Sequence, residues 1–136
     1  MILEGLACLA LNIYHEARGE SIEGQIAVSQ VVMERVKSPK YPNTICEVVT
    51  QGPTYSYSTN HPIKHRCQFS WYCDGLSDKP KNKIAYLNSL DVAEKTLHGL
   101  KDMVKGSIYY HSIKVKPWWA KYKIKVVQID DHLFYK

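Results

Sequence analysis

The chain turns a corner at Gly19. Ahead of it, Leu6, Leu9, Ala10, Ile13 and Ala17 recur at helical spacing, which predicts a helix from about Glu4 to Arg18 with Gly19 as its stop. Behind it, Ser21 reads as an N-cap, and Glu20 and Glu23 suit the positive end of the next helix dipole. That second helix runs to about Val36 through Ile26, Ala27, Val31 and Val32, apolar on more than one side and therefore expected to be central. The corner places Glu16 near the C-terminal end of an amphipathic helix, beside Tyr14, His15 and Arg18. Asn12 and Glu16 are four apart and share a stripe at the edge of the buried face. Burial raises a Glu pKa, so a carboxylic acid at such an apolar lip can donate a proton near neutral pH, as glycosidic-bond cleavage requires.

Pro39 and Pro42 end the second helix, and Asn43-Thr44 opens a short one carrying Ile45, Val48 and Val49. Residues 51–82 are rich in Gly, Pro, Ser, Asn, Tyr and His and hold no sustained period. Only Cys67-Gln68-Phe69-Ser70-Trp71 has strand character there, and a long irregular stretch in a compact domain is usually functional. A last helix is expected from about Lys83 to Val104, with Leu87, Leu90, Ala93, Leu97 and Leu100 inside and Gly106 closing it. Ser107 to His111 reads as extended, and Lys123–Ile129 with His132–Tyr135 as a hairpin around Asp130-Asp131. With 136 residues, no repeat and no linker, the reading is one α+β domain with helices dominant.

The net charge of +5 attracts acidic polymers without saying which. Lys114, Lys116, Lys121, Lys123 and Lys125 carry much of the excess, and their alternation fits the solvated face of strands. Ten tyrosines suit either a groove that stacks on sugars or half-buried core positions. The tandem Trp118-Trp119 has the same two readings, a sugar- or lipid-facing surface or core packing. Cys8 falls in an apolar helical pattern and reads as a small buried hydrophobe, whereas Cys67 and Cys73 flank a short loop and can pair if oxidised. His61, His65, Cys67 and Cys73 form a loose cluster that matches no strong zinc template. Phosphate-binding glycine loops and the recognised nucleic-acid motifs are absent, as are a secretory signal and any run long enough to span a membrane. No second carboxylate is spaced to pair with Glu16; Asp74, Asp78, Asp130 and Asp131 are distant, and Glu20 and Glu23 have a simpler role at a helix start.

Asn12-x-Tyr14-x-Glu16-Ala17-Arg18-Gly19-Glu20, followed by Glu23-Gly24-Gln25-x-Ala27-Val28-x-x-Val31-Val32-x-x-Arg35-Val36, resembles the SleB/CwlJ cell-wall hydrolase family. The resemblance continues through Tyr41-Pro42-Asn43-Thr44-Ile45-Cys46-x-Val48-Val49, Cys67-Gln68-Phe69-Ser70-Trp71, Tyr109-Tyr110-His111 and His132-x-Phe134-Tyr135. It implies a single helix-dominated, lysozyme-like α+β catalytic domain over 1–136 with a small sheet or hairpin region. It further implies a peptidoglycan lytic transglycosylase that cuts the β-1,4 bond between N-acetylmuramic acid and N-acetylglucosamine and leaves a 1,6-anhydro end. The family's catalytic glutamate carries onto Glu16, and its groove segments onto Gln68, Ser70, Tyr109 and Tyr110. Residues 51–66 do not align with it. The expected partner is the glycan strand, with no cofactor, no metal, no nucleic acid, no stable membrane insertion and a monomeric state. A single unexported domain looks more like a phage endolysin, held in the host cytoplasm until a holin-type pore releases it to the wall.

Competing readings are a hydrolytic muramidase on the same fold, with Glu20 as the first second carboxylate to test, and a zinc amidase or peptidase using His61, His65 or Cys67. A non-catalytic wall-binding module is the third. The lysine-rich C-terminal third is also expected to favour contact with an anionic outer layer, weakening when Lys121, Lys123 and Lys125 are neutralised.

Overall fold

The computed structural model describes residues 2–136, with side chains from Glu4 onward. Helix α1 spans Ile2–Ala17 and α2 spans Ile22–Lys37, broken as the sequence expects at Gly19. The Ser21 hydroxyl caps α2 by accepting the Gly24 N–H, and Thr44 caps the short α3 (Ile45–Val49) through the Glu47 N–H. Helix α4 spans Lys83–His98, capped by the Asn82 side chain on the Ala85 N–H. It ends a turn and a half before the expected Val104. Gly99 adopts φ of 101°, a conformation that favours glycine, and there the chain leaves the helix. The segment beyond is held by Gln30 of α2, which donates to the Lys101 carbonyl and accepts the Met103 N–H, both at 2.8 Å. Leu87, expected inside, is 62% exposed, because α4 turns Ser89, Val92 and Thr96 inward together with the expected Ala93.

Helix α1 packs against α2, α3 and α4. Leu9, Ala10, Ile13, Val32, Val48, Val49, Val92 and Ala93 form the main core, closed by Phe69 and Trp71 from the irregular stretch. Helix α2 is central as expected, with buried residues on both sides, from Gln25 to Arg35. Its other flank joins Ala27 and Val31 to Val104 and Phe134, so the sheet packs on α2.

The sheet has three antiparallel strands in the order β1 (Tyr109–Ser112), β3 (His132–Tyr135), β2 (Lys125–Ile129). Strand alternation puts Tyr110, Phe134, Ser112 and His132 on the face toward the helices and Tyr109, His111, Leu133 and Tyr135 on the other. The expected hairpin around Asp130-Asp131 is present, with Asp130 at φ of 50°. Its turn docks on the start of α2. Asp130 accepts the Ser21 N–H, and a Cβ at Gly24 would lie 2.6 Å from an Asp130 oxygen.

Three expectations need correction. Cys67–Trp71 is no strand: Ser70–Cys73 is a 3₁₀ turn, because Phe69 and Trp71 both bury into the helical core instead of pairing with another strand. The lysines from 114 to 125 do not line one strand face. Lys114 lies in a turn, Lys116 in the irregular segment after it, Lys121 in a 3₁₀ turn (Trp118–Tyr122), and only Lys125 in β2. Cys8 is no lone hydrophobe; it is disulfide-bonded to Cys46 and ties α1 to α3, with a Cα–Cα distance of 5.2 Å. Cys67 and Cys73 are joined as their spacing allowed. Among the described residues no helix is long and apolar enough to cross a membrane.

Candidate active site

Helix α1 is apolar on the side that presents Ile13 and Ala17, and the last turn of that face meets the inner face of β1. Glu16 sits at this junction, and its Oε1 accepts a 2.6 Å hydrogen bond from the Tyr110 hydroxyl. Burial raises the Glu16 pKa above its ordinary value, while the Tyr110 hydrogen bond and the neighbouring basic groups His132, Arg35 and His15 pull it back. The Tyr110 phenol is pushed well above its own ordinary value by burial and by the Glu16 charge, so it stays protonated and acts on Glu16 as a donor. The result is a carboxylic acid that holds its proton to higher pH than a surface carboxylate, with a donor in place for the anion left after it gives that proton up.

Two basic residues, Arg35 and His132, approach this acid from other elements. Arg35 occupies the buried stripe of α2, its Nε donating to the Ile108 carbonyl at 2.9 Å and its guanidinium lying over the rings of Tyr41 and Phe69. His132 reaches the site from β3, its ring 5.4 Å from and edge-on to Tyr110. Its Nδ1 lies 3.3 Å from Glu20 Oε1, so the second acid of the corner joins the network through an imidazole. The closeness of Gly24 to Asp130 permits this contact: the hairpin turn lies directly against the helix start, bringing His132 alongside Glu20.

His15 faces elsewhere. Its Nε2 is hydrogen-bonded to the Asp78 carbonyl at 2.8 Å, and its ring stacks on Trp71 at 4.7 Å. The Trp71 indole N–H donates to Asn12 Oδ1 at 2.9 Å. The Tyr14 hydroxyl accepts the backbone N–H groups of Lys81 and Asn82, and Arg18 folds back over the Tyr14 ring. These contacts lace the irregular stretch to the end of α1. Arg18 and His15 bond to the Tyr14 and Asp78 carbonyls, and the Glu16 carboxylate bonds to Tyr110.

Of the four residues expected to line a groove, the structure brings only Tyr110 to Glu16. Gln68 and Ser70 are exposed on the segment anchored by Trp71, adjacent to the α1 end but in no hydrogen bond with it. Tyr109 lies on the opposite sheet face, where Lys123 sits over its ring and Trp119 packs at 5.8 Å. Sequence reading missed the roles of Arg35 and His132. Each had a signal: Arg35 continues the Val28, Val31, Val32 stripe, and His132 alternates with Phe134 on one strand face. The His/Cys cluster does not assemble. Cys67 is in a disulfide, His61 packs near Tyr57, and among the described residues no group of three His, Cys, Asp or Glu side chains is arranged to hold a metal. The distant carboxylates also have local tasks: Asp130 holds Ser21, and Asp74 accepts the Leu76 N–H.

Residues 19–135 match the family described as Cell Wall Hydrolase. The spore cortex-lytic enzyme of Bacillus subtilis strain 168 is 30% identical over 129 residues, 93% of this chain and 35% of its own length. That of Bacillus cereus is 44% identical over 128 residues, 94% of this chain and 42% of its own length. The chain thus spans well under half of the curated relatives it matches. Among solved structures, the catalytic domain of the Bacillus cereus SleB protein superposes with a TM-score of 0.66 at 25% identity, covering 97% of this chain and 89% of that one. The catalytic domain of the germination-specific lytic transglycosylase SleB from Bacillus anthracis gives 0.65 at 23% identity, over 97% and 93%, a likeness of fold. The α+β, lysozyme-like class expected from the sequence holds.

Proposed function

Because this chain belongs to the cell wall hydrolase family, we propose that it cleaves the β-1,4 glycosidic bond between N-acetylmuramic acid and N-acetylglucosamine in peptidoglycan, as a lytic transglycosylase with Glu16 as its one acid/base. The observation that carries this reading is the half-buried Glu16, its pKa raised by burial, with the Tyr110 hydroxyl on its carboxylate. Glu16 in its acid form gives its proton to the glycosidic oxygen as the bond to the anomeric carbon breaks and positive charge develops on the sugar. The carboxylate, stabilised by the Tyr110 donor and the nearby cations, then takes the proton from the muramoyl 6-hydroxyl. That oxygen closes on the anomeric carbon, no water is consumed, and Glu16 is again an acid.

In this reading residues 1–136 act as one catalytic domain on glycan strands, as a monomer; Gln68 and Ser70 contribute to binding beside the Glu16–Tyr110 pair, and Tyr109 contributes from the outer face of β1. Deployment as a phage-type lysin, held in the host cytoplasm until a holin-type pore opens, belongs to the same proposal and rests on the sequence resemblance. Lysis on expression with a pore-forming partner and none without it is the expected behaviour.

The Glu20–His132 contact supports one second reading, a hydrolytic muramidase in which that pair activates water. Mass spectrometry of fragments released from purified peptidoglycan separates the two. Anhydro-muropeptides from the wild type, with Glu16→Gln slower by about 10²–10⁴-fold, fit the transglycosylase. Reducing fragments one water heavier fit the muramidase, and free stem peptides or an active Glu16→Gln defeat both.

A further inference from the structure

Between Asp102 and Asp130 the chain holds Lys105, Lys114, Lys116, Lys121, Lys123 and Lys125 and no acidic residue. The excursion that joins β1 to β2 lies within this stretch and exposes large apolar side chains among the lysines: Ile113 at 46%, Val115 at 52%, Trp118 at 77% and Tyr122 at 69%. The two tryptophans divide the labour. Trp119 packs against Tyr109, His111 and Tyr135 and anchors the excursion on the outer sheet face. Trp118 turns outward beside Tyr122, with ring centroids 6.3 Å apart and the Lys121 ammonium over the Tyr122 ring. Ile113, Val115, Lys116, Trp118 and Lys121 surround one shallow hollow of about 460 Å³, floored by His111, Leu133 and Tyr135.

We propose that this surface is a peripheral binding site for an anionic lipid bilayer. Its composition is that of the bilayer interface, where a Trp and a Tyr sit at headgroup depth, aliphatic groups enter the acyl boundary, and lysines meet anionic headgroups. Aliphatic Ile113 and Val115 argue against an extended sugar subsite, since saccharides are gripped by aromatic faces and hydrogen bonds, and a branched aliphatic offers neither. Placement argues the same way. His111, Leu133 and Tyr135 lie on the sheet face opposite Tyr110 and Phe134, so the patch is turned away from the face that meets Glu16. A molecule held to a membrane by this patch keeps Glu16 free for the glycan. The inference stands apart from the glycosidase reading, because vesicles contain no glycan.

The test is co-sedimentation of the whole chain with phosphatidylglycerol-containing vesicles, against pure phosphatidylcholine vesicles and purified sacculi, at low and high salt. Binding to the anionic but not the neutral vesicles, weakening with salt, is expected. Lys116→Glu with Lys121→Glu is expected to weaken it by on the order of tenfold or more, and Trp118→Ser to lower it and remove any blue shift in tryptophan emission. All three substitutions are expected to leave fragment release from soluble peptidoglycan chains unchanged. Equal binding to neutral vesicles, or binding untouched by these substitutions, overturns the proposal. Absence of vesicle binding overturns it too, and a substitution-sensitive loss of sacculus binding would then assign the patch to an anionic wall polymer.

Discussion

Removal of one oxygen atom, in Tyr110→Phe, tests the candidate site. The Tyr110 hydroxyl donates to Glu16 at 2.6 Å, at a position that water reaches poorly. A hydrogen bond to a charged group is worth about 1.5–3 kcal/mol, and here it favours the carboxylate over the acid. When Glu16 gives its proton to the leaving oxygen, that stabilisation appears in the transition state as charge builds on the carboxylate. Its loss is expected to lower turnover by roughly 10- to 100-fold, at about 1.4 kcal/mol per decade. The direction with pH follows from the same bond. Tyr110 pulls the Glu16 pKa down against the upward effect of burial, so without it the acid form persists to higher pH. Activity that depends on the acid form is then lost later as pH rises, and the alkaline limb of the profile moves upward even as the maximum falls. Turbidity loss of a peptidoglycan suspension across pH, with circular dichroism to confirm folding, reads both effects. An unchanged rate and an unmoved alkaline limb in a folded variant would refute the assignment of Glu16 as proton donor and Tyr110 as its partner.

Three further outcomes follow from particular contacts. Glu20→Gln breaks the His132 contact yet removes no proton donor from the transglycosylase; it is expected to cost less than about tenfold in rate and to keep anhydro products, whereas loss of reducing products would identify Glu20 with water activation. Gly24→Ala puts a Cβ 2.6 Å from Asp130; it is expected to shift the hairpin, destabilise by about 1–3 kcal/mol and reduce activity through the displaced His132, and a melting curve equal to wild type would contradict this packing. Cys8→Ser with Cys46→Ser frees a link of sequence separation 38; a loss of about 3–4 kcal/mol, or on the order of 10 °C in Tm, is expected by thermal unfolding, and an unshifted Tm would argue that the bridge does not form.

The helical frame was legible because its signals are local. Ser21 and Thr44 each cap a helix within three residues, and the apolar spacing from Leu9 to Ala17 needs no knowledge of the rest of the chain. The errors arose where a distant contact decides. The apolar pattern favours Leu87 and Leu100 along with Ala93, but the helix ends before Leu100, and packing on α1 and α2 turns Val92 inward beside Ala93 and leaves Leu87 in solvent. Cys67–Trp71 has strand composition but no strand to pair with, and its aromatics fill the helical core. Glu16 could be singled out from its own helix. Tyr110 could be named only by resemblance, and its task on Glu16 could not be read, because 94 residues separate the pair and the strand register alone brings them together.

That separation explains why so much of the chain serves one carboxyl group. Helix α1 alone would hold Glu16 at a wet edge with an ordinary acidity. The raised pKa needs burial, and burial comes from the sheet laid over the α1–α2 corner. The same sheet delivers Tyr110 and His132, while α2 delivers Arg35, so the elements that desolvate the acid also bring the groups that stabilise its anion. A general acid must hold its proton at rest and release it when charge develops on the leaving oxygen. Apolar burial alone would satisfy the first condition and defeat the second. The Tyr110 donor and the neighbouring basic groups favour the anion, while burial keeps the pKa above its ordinary value. Both halves of the proposed reaction use this balance, since the same carboxyl group gives a proton and takes one back. A second carboxylate beside Glu16 would upset it by repelling the anion, and the other acid of the corner, Glu20, lies instead against His132, 3.3 Å from its Nδ1.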